Sequence, residues 1–395
     1  MKHELGISVY PDIRPLSEIT EYFKLASKYG ATRVFSSMFS VEGTKEEVLS
    51  YFRDLIEAAH QYNLKVSLDV NPACFKQMGA SYDDLSVFHS IHVDVLRMDM
   101  SFGGEKDKVL VENPYGIGIE FNASSNIVDE LCKAGADPHK YTVCHNFYPQ
   151  RYTGLKWKKF IDANAELKAF SKDVRIAAFV SSHAPETHGV WGAICGLPTV
   201  EKLRDMPIDL QARMMLGTGN VDDILIGNAY ATEEEFQALQ EVLNAETLTP
   251  SCDDPVIQML RNIGFINFDS PVKSVRITLD KDISENEKEA LFQFYPHIDA
   301  GDSSEWIWRS RLSRFVYSKP EKVIAPRHYD QKEFLPGDVM IVNDSYKHYA
   351  GEIQIVREPI INDGTRNRLG HLDPQEFQMM DVIHDGDIVR FFEKR

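Results

Sequence analysis

The amino-acid sequence predicts an α/β protein in which a (β/α)8 TIM barrel is followed by a small β-barrel domain. Two observations predict the first domain: eight short apolar runs suited to strands buried on both faces, and amphipathic helical stretches between most of them. A third observation predicts the second domain, because strand patterns separated by turn residues replace this alternation towards the C-terminus. We place the barrel at residues 1–245, and a connector with the second domain at residues 246–395.

The predicted barrel strands lie at residues 6–10, 33–38, 65–70, 95–100, 118–121, 141–146, 176–180 and 223–227. Helical patterns cover residues 16–29, 45–62, 124–134, 157–170 and 233–243, and Thr44 with Glu47 forms a capping box before the second of them. Eight βα units in this length fit a barrel better than an open doubly wound sheet. Such a sheet usually carries a glycine-rich phosphate loop after its first strand, whereas Tyr10-Pro11-Asp12 follows here.

In the C-terminal part of the chain, strand patterns separated by turns replace the alternation of strands and helices. Residues 247–255 have the composition of a connector. Strand patterns then follow at residues 274–279, 306–310, 339–342, 351–356 and 388–392, with turn signals such as Pro336-Gly337-Asp338 between them. This pattern predicts a compact β-barrel.

Charge and cysteine content narrow the class of protein. The 395 residues carry 43 Lys and Arg against 60 Asp and Glu, a net charge of −17, which disfavours nucleic acid and anionic membranes as partners. The five cysteines are scattered without a CxxC pair, and the N-terminus enters a strand without an apolar signal core. We therefore expect a reduced, cytoplasmic protein with no membrane association.

Three acids are the candidate catalytic residues. In a (β/α)8 barrel the active site lies where strands end, and Asp69, Asp99 and Glu120 lie at the ends of three consecutive predicted strands. Carboxylates brought together raise the pKa of one member, which supplies a protonated acid beside an ionised partner, as glycoside hydrolysis needs. The alternative is that each acid is solvated or salt-bridged, and that Arg97 simply pairs with Asp69 or Asp99 inside the barrel.

Further polar residues at strand ends are candidates for binding the substrate. Asn122, Asn146 and Tyr148 carry groups that bind sugar hydroxyls or an acetamido group, although asparagines in loops also hold backbone groups. In the second domain Arg309 and Arg311 alternate onto one face of a strand, where they either hold an anionic substituent or balance acidic neighbours. The remaining candidates at strand ends are Tyr10, Asn71, Arg97, His183 and Glu186.

The residues at the predicted strand ends disfavour two other chemistries, metal-dependent catalysis and catalysis by a Schiff-base lysine. His145, His183 and His188 occur without HxH or HExxH spacing, so no metal site is predicted. No lysine falls at the C-terminal end of a predicted strand, which argues against a Schiff-base mechanism. We expect neither a metal nor an organic cofactor.

Several segments taken together resemble one family, the MupG-type 6-phospho-N-acetylmuramidases. The resemblance covers essentially the whole chain, and the segments that carry it are Leu5-Gly6-Ile7-Ser8-Val9-Tyr10-Pro11, Asp69-Val70-Asn71-Pro72, Arg97-Met98-Asp99, Glu120-Phe121-Asn122-Ala123-Ser124, His145-Asn146-Phe147-Tyr148-Pro149, Gly196-Leu197-Pro198-Thr199-Val200-Glu201 and, near the C-terminus, Pro336-Gly337-Asp338 and Gly351-Glu352-Ile353-Gln354. The resemblance implies a TIM barrel followed by a cyclophilin-like β-barrel. It also implies a metal-independent bacterial enzyme that hydrolyses 6-phospho-N-acetylmuramic acid linked to N-acetylglucosamine, during cytoplasmic recycling of cell-wall sugars.

Three functions therefore compete at this point. The first is a glycosidase acting on a phosphorylated amino-sugar disaccharide, with Asp99 and Glu120 as acid/base and partner and with Asp69 orienting the substrate or replacing one of them. The second is an isomerase or lyase acting on a sugar phosphate in the same barrel. The third is a carbohydrate-binding protein without catalysis, which the clustered carboxylates disfavour.

Overall fold

The computed structural model describes residues 3–10, 13–38, 43–123, 125–245, 255–264, 272–294 and 296–394. The chain divides into two compact units, Met1–Val242 and Leu243–Arg395. Pro11, Asp12, Ser124 and all of the predicted connector except Pro255 lie outside the described residues.

The first unit is a closed barrel of eight parallel strands, which confirms the predicted fold class. Each strand pairs with its neighbour in chain order, and the eighth pairs with the first. Hydrophobic runs located the strands correctly because both faces of a barrel strand are covered, one by the interior and one by helices. The strands are β1 Glu4–Ser8, β2 Ala31–Ser37, β3 Lys65–Val70, β4 Val95–Met98, β5 Gly118–Asn122, β6 Tyr141–Cys144, β7 Arg175–Val180 and β8 Asp223–Ile226.

The helices of this unit are α1 Leu16–Lys28, α2 Lys45–His60, α3 Pro72–Met78, α4 Ser86–His89, α5 Gly104–Val111, α6 Ser125–Ala134, α7 Trp157–Phe170, α8 Ile208–Gly217 and α9 Glu233–Ala245. Helix α2 begins at the predicted capping box, in which the Thr44 hydroxyl accepts from the Glu47 backbone N–H. Helix α8 has no amphipathic pattern because all of its residues are buried. Within the described ranges no helix is long and apolar enough to cross a membrane.

The barrel interior holds charged side chains in pairs. Arg33 on β2 contacts Glu120 on β5 at 2.8 Å, across the interior of the barrel. Arg175 on β7 pairs with Asp223 on β8 near the opposite end from the strand C-termini. Burying a charge is costly unless it is paired, so this interior depends on matched partners and not on apolar filling alone.

The second unit contains a seven-stranded mixed sheet in the order β10-β17-β9-β16-β13-β14-β11 and a two-stranded β12-β15 ribbon. β9 and β17 are parallel, and the other pairs are antiparallel. The strands are β9 Val272–Leu279, β10 His297–Ile298, β11 Ile307–Ser310, β12 Glu333–Phe334, β13 Asp338–Val342, β14 Ile353–Val356, β15 Ile360–Ile361, β16 Arg366–His371 and β17 Ile388–Glu393; the helices are α10 Pro255–Asn262, α11 Glu285–Phe292 and α12 Arg314–Tyr317.

All five strands predicted in this region are present, but β10, β12, β15 and β16 were not predicted, and β16 is the longest of these four. Its sequence alternates arginines with buried residues, so Arg366 and Arg368 hid the strand pattern. Arg368 pairs with Asp280 and Asp338 on neighbouring segments. These pairings compensate for the low apolar content of the strand.

Candidate active site

Asp69, Arg97 and Glu120 occupy one line of register partners on β3, β4 and β5. Strands in such a barrel tilt by about 36° to its axis, so a line drawn perpendicular to the strands descends into the interior. The exposed fractions follow this descent, at 9% for Asp69, 3% for Arg97 and 0% for Glu120. The three residues are neighbours in register, yet they lie at different depths.

Arg97 joins two of the three predicted catalytic acids. Its Nη1 donates to Asp69 Oδ1 at 2.9 Å and to Asp99 Oδ1 at 3.2 Å. Its Nη2 donates to the side-chain oxygen of Asn146, which lies just beyond β6. One buried guanidinium therefore gathers side chains from three βα units at the strand C-termini.

The two aspartates differ in environment. Burial raises the pKa of Asp69 to about 6, although the adjacent Arg97 opposes this effect. The Asp99 side chain is 40% exposed. This contrast, a shielded carboxyl beside a solvated one, is the arrangement that separates an acid from an ionised partner in glycosidases.

Glu120 lies in a different setting. One of its carboxylate oxygens contacts Arg33 Nη2 at 2.8 Å and accepts from the Thr142 hydroxyl at 3.3 Å. The side chain has no exposed surface. The acid that shares a partner with Asp99 is therefore Asp69, whereas Glu120 forms a buried pair in the barrel interior.

A cavity of about 420 Å³ opens at the C-terminal ends of β4, β5 and β6. Its size suits a ligand of one or two sugar rings. Three of the predicted sugar-binding residues line it, together with Asp99. The polar side chains of its wall belong to Asp99, Ser101, Asn122, Asn126, Glu130, His145, Asn146, Tyr148 and Lys159.

Within the described part of the barrel, apolar side chains at or just after β1, β2, β6, β7 and β8 form one packed cluster. Phe35, Phe147 and Phe179 pack edge to face, with ring centroids 5.2 to 5.8 Å apart. Leu197, from the long loop after β7, approaches two glycines so closely that a Cβ at Gly189 or Gly227 would lie 2.1 or 2.3 Å from it. These residues form a packed apolar interior, whereas the cavity is lined by residues at the ends of β4, β5 and β6.

Tyr10 belongs to this apolar cluster. Its hydroxyl donates to the Gly227 carbonyl at 2.6 Å, and its ring is 1% exposed. The ring lies 6.5 Å from that of Phe147. The structure thus places this predicted substrate-binding residue within the packed interior.

Five other candidates are not among the described residues that line the cavity. Asn71 caps α3, because its side-chain oxygen accepts from the Cys74 N–H at 2.9 Å. His183 Nε2 lies 2.6 Å from the Arg204 carbonyl, and Glu186 pairs with Arg14 at the surface. Arg309 and Arg311 belong to the second unit, where they contact Glu352 and Asp302 respectively.

Arg204 fixes the loops that border the cavity. Its guanidinium donates to the carbonyls of Tyr148 and Gln150 after β6, and to those of Cys195 and Gly196 after β7. It also pairs with Glu201, and this hydrogen bond is the main reason that the pKa of Glu201 falls to about 2. The Glu201 segment thus holds Tyr148 in position from behind.

His145 is held as a neutral ring in the cavity wall. Burial lowers its pKa to about 4, and its Nε2 lies 2.6 Å from Asn164 Oδ1. Over the described residues, no group of three or more His, Cys, Asp or Glu side chains is arranged to hold a metal ion.

Sequence reasoning missed Lys159 and Asn126, which both line the cavity. They lie in the first turns of α7 and α6, whereas the search covered only the strand ends. In a (β/α)8 barrel the helix that follows a strand begins at the same face, so the first helical turn was the overlooked signal. Lys159 makes no ion pair with any residue that the structure describes.

The stability of the protein should depend on pH through Asp69. Because the folded state binds the Asp69 proton more tightly than the unfolded chain does, this contribution is present below about pH 4 and is lost as the pH rises through about 6. We expect the free energy of unfolding of the wild type, relative to Asp69→Asn, to fall by on the order of 3 kcal/mol over this window. Urea denaturation at pH 4 and pH 7 measures the difference, with the surface variant Asp162→Asn as control; an equal change in wild type and Asp69→Asn would contradict it.

The comparisons with known proteins show the family and the fold of the chain. Residues 5–241 match the N-terminal domain model of 6-phospho-N-acetylmuramidase, and residues 274–392 match its C-terminal domain model. No curated protein is significantly similar in sequence.

Two solved structures extend over the full chain. An uncharacterized B. cereus protein is 30% identical over 100% of both chains, with a TM-score of 0.81. A conserved protein of unknown function from Enterococcus faecalis is 21% identical over 99% of this chain and 96% of its own, with a TM-score of 0.66, and shows the same fold. Since family models cover most of the sequence, this chain belongs to the MupG family of 6-phospho-N-acetylmuramidases, which are glycosidases.

Proposed function

We propose that this enzyme hydrolyses the bond between 6-phospho-N-acetylmuramic acid and N-acetylglucosamine, and that it acts in cytoplasmic recycling of cell-wall sugars. The observation that supports the proposal is the Asp69–Arg97–Asp99 arrangement, whose exposed member Asp99 lines a polar cavity of sugar size. Family membership supports the phosphorylated amino-sugar substrate. Because the resemblance to this family implies a cyclophilin-like second domain, we also propose that fold for the second unit.

In the proposed reaction Asp69 is the general acid and Asp99 the nucleophile. Asp69 gives its proton to the glycosidic oxygen while Asp99 attacks the anomeric carbon, so that the carbon–oxygen bond breaks and N-acetylglucosamine leaves. Water, deprotonated by Asp69, then hydrolyses the glycosyl ester and returns both carboxyl groups to their first state. Arg97 holds the two aspartates side by side and stabilises the Asp99 carboxylate before it attacks and after the ester is hydrolysed.

The spacing of the two acids favours retention of configuration. Both contact the same Arg97 nitrogen, so their nearest oxygens are at most about 6 Å apart, whereas carboxyl groups stand roughly 6.5–9.5 Å apart in inverting glycosidases and about 5–5.5 Å apart in retaining ones. We therefore propose a retaining mechanism.

Product analysis tests the function. The full chain is incubated with the phosphorylated disaccharide, and the sugars are separated and identified by mass. Hydrolysis gives two sugars, an isomerase or lyase gives one or an unsaturated product, and a binding protein gives none. NMR at early times assigns the first anomer released, and the inverted anomer would contradict the retaining mechanism.

Lys159 is the proposed partner of an anionic group of the substrate. Among the described residues that line the cavity it is the one lysine or arginine, and Asp99 and Glu130 are the carboxylates in the same lining. We expect Lys159→Met to raise KM for the phosphorylated disaccharide by about tenfold with little change in kcat, because a contact made equally in ground and transition states affects binding alone.

Lys158 provides the matched control for this change. It lies on the same helical turn but pairs with Asp162 at the surface. Lys158→Met should leave both constants within about twofold, since exposed ion pairs contribute about 0–1 kcal/mol. An equal rise in KM for both variants would mean that overall charge, and not contact with Lys159, determines the effect.

A further inference from the structure

The second unit contains a cavity of its own, with a volume of about 380 Å³. It is built from side chains on β11, β14 and β16 and on the loops before β11 and β14. Its lining includes Asp302, Arg309, Tyr346, Glu352, Gln354 and Arg366.

The charges in this cavity already have partners. Glu352, which is fully buried, accepts from Arg309 Nε at 2.7 Å and Nη2 at 3.0 Å, and from Gln354 Nε2 at 2.7 Å. Arg366 donates through Nε to Gln354 Oε1 at 2.9 Å and pairs with Asp363. Since arginine and carboxylate charges are matched, the wall is rigid and has no excess of charge to attract an ion.

The Asp302 carboxylate provides an acceptor in the wall. Its side chain is 31% exposed, and Oδ2 accepts from Arg311 at 2.9 Å and keeps a second lone pair, whereas Oδ1 is shielded from solvent. A carboxylate oxygen accepts only, so the group that satisfies it must be a donor. A hydroxyl or amide meets this requirement, and an anion such as phosphate does not.

An exposed aromatic surface borders the same cavity. The rings of Tyr346 and Tyr349 stack with centroids 5.3 Å apart and an interplanar angle of 19°. Arg314 lies 4.8 Å from the Tyr349 centroid and holds that ring in place, while Tyr346 is 54% exposed. A rigid aromatic surface beside fixed polar groups suits a ligand with one apolar face and a polar edge.

We infer that this cavity binds a neutral saccharide, and that it does so independently of the barrel. A pyranose ring has both features required: carbon-bound hydrogens on one face to pack against Tyr346, and hydroxyls on its edge to donate to Asp302 and to accept from Arg309 and Arg366. The volume is near the lower end of the usual range of about 300–1,000 Å³, which suits one ring better than a long oligosaccharide.

The test uses the full chain labelled with 3-fluorotyrosine, so that ¹⁹F NMR reports on Tyr346 itself. The resonance is assigned by its loss in Tyr346→Phe, and N-acetylglucosamine is the probe. We expect a saturable shift of this resonance, and an apparent Kd about tenfold higher in Asp302→Ala, because the variant lacks the acceptor for one hydroxyl. Phe315→Ala, which removes an exposed aromatic ring of the same unit from outside the cavity lining, should leave the Kd unchanged.

Three outcomes would overturn the inference. They are no shift of the Tyr346 resonance up to tens of millimolar sugar, an equal Kd in wild type and Asp302→Ala, or a saturable shift with inorganic phosphate but not with the sugar. Because the readout is local to Tyr346 and needs no turnover, its failure is separate from failure of the activity proposed for the barrel. The wild-type titration alone decides the first outcome, whatever the stability of the variants.

Discussion

Asp99→Asn is expected to lower kcat on the phosphorylated disaccharide by about a thousandfold or more, with the fold intact. The substitution removes the attacking carboxylate, and the loss of a nucleophile or of an acid/base group costs at least about 10²–10⁴ in rate. Asp99 is the exposed member of the pair that Arg97 holds, so its neutral replacement keeps the shape of the site. Steady-state kinetics and circular dichroism together measure the effect.

Chemical rescue separates the proposed nucleophile from other roles. In Asp99→Ala, added azide should restore turnover and form a glycosyl azide, because a small anion fits the space of the missing carboxylate. Asp162→Asn, on the surface of α7, is the matched control and should keep full activity. Activity of Asp99→Asn within tenfold of the wild type would contradict the assignment of Asp99.

The same assay distinguishes Asp69 from Glu120 as the second acid. We expect Asp69→Asn to lose activity as Asp99→Asn does, since Asp69 shares the Arg97 nitrogen with Asp99. Glu120→Gln should keep the chemistry, because its carboxylate contacts Arg33 inside the barrel. Loss of activity in Glu120→Gln with unchanged stability would instead favour the pairing of Glu120 with Asp99 that the sequence predicts.

Arg33→Met is expected to destabilise the protein by about 3–5 kcal/mol, because it leaves the Glu120 carboxylate buried without its partner. Both side chains are almost fully buried, so water cannot replace the lost contact. The corresponding fall in Tm is on the order of 10 °C for a unit of this size. Thermal and urea unfolding measure the change.

A second substitution shows whether the unpaired charge is the cause. Arg33→Met/Glu120→Gln should recover a large part of the lost stability, since it removes the carboxylate together with its partner. Arg151→Met breaks an exposed pair with Asp205 and should cost about 0–1 kcal/mol. If Arg33→Met cost no more than this surface control, the buried pair would not stabilise the barrel.

The prediction of the fold succeeded where the signal is local. A strand buried on both faces is a continuous apolar run, and a capping box is four residues long, so the barrel strands and the start of α2 could be located from neighbouring residues alone. The same logic failed at α8, which has no polar face, and at β16, whose arginines are neutralised by partners far along the chain. Those elements are stabilised by contacts that no window of the sequence contains.

The candidate site likewise has features that the sequence predicts and features that depend on tertiary contacts. From the sequence alone it follows that Asp69, Asp99, Asn122, Asn146 and Tyr148 lie at the C-terminal face of the barrel, because parallel strands end together at that face. Only the tertiary structure decides how deep each acid lies in the barrel. Asp69 and Glu120 both lie near strand ends in the sequence, but the strand tilt places Glu120 deeper in the interior than Asp69. The close packing of Leu197 against Gly189 and Gly227 is likewise a tertiary contact that the strand pattern does not contain. The order of apolar and polar residues thus determined the barrel and the acids at its strand ends. Strand register, strand tilt and tertiary contacts determined that Asp69, and not Glu120, shares a partner with Asp99.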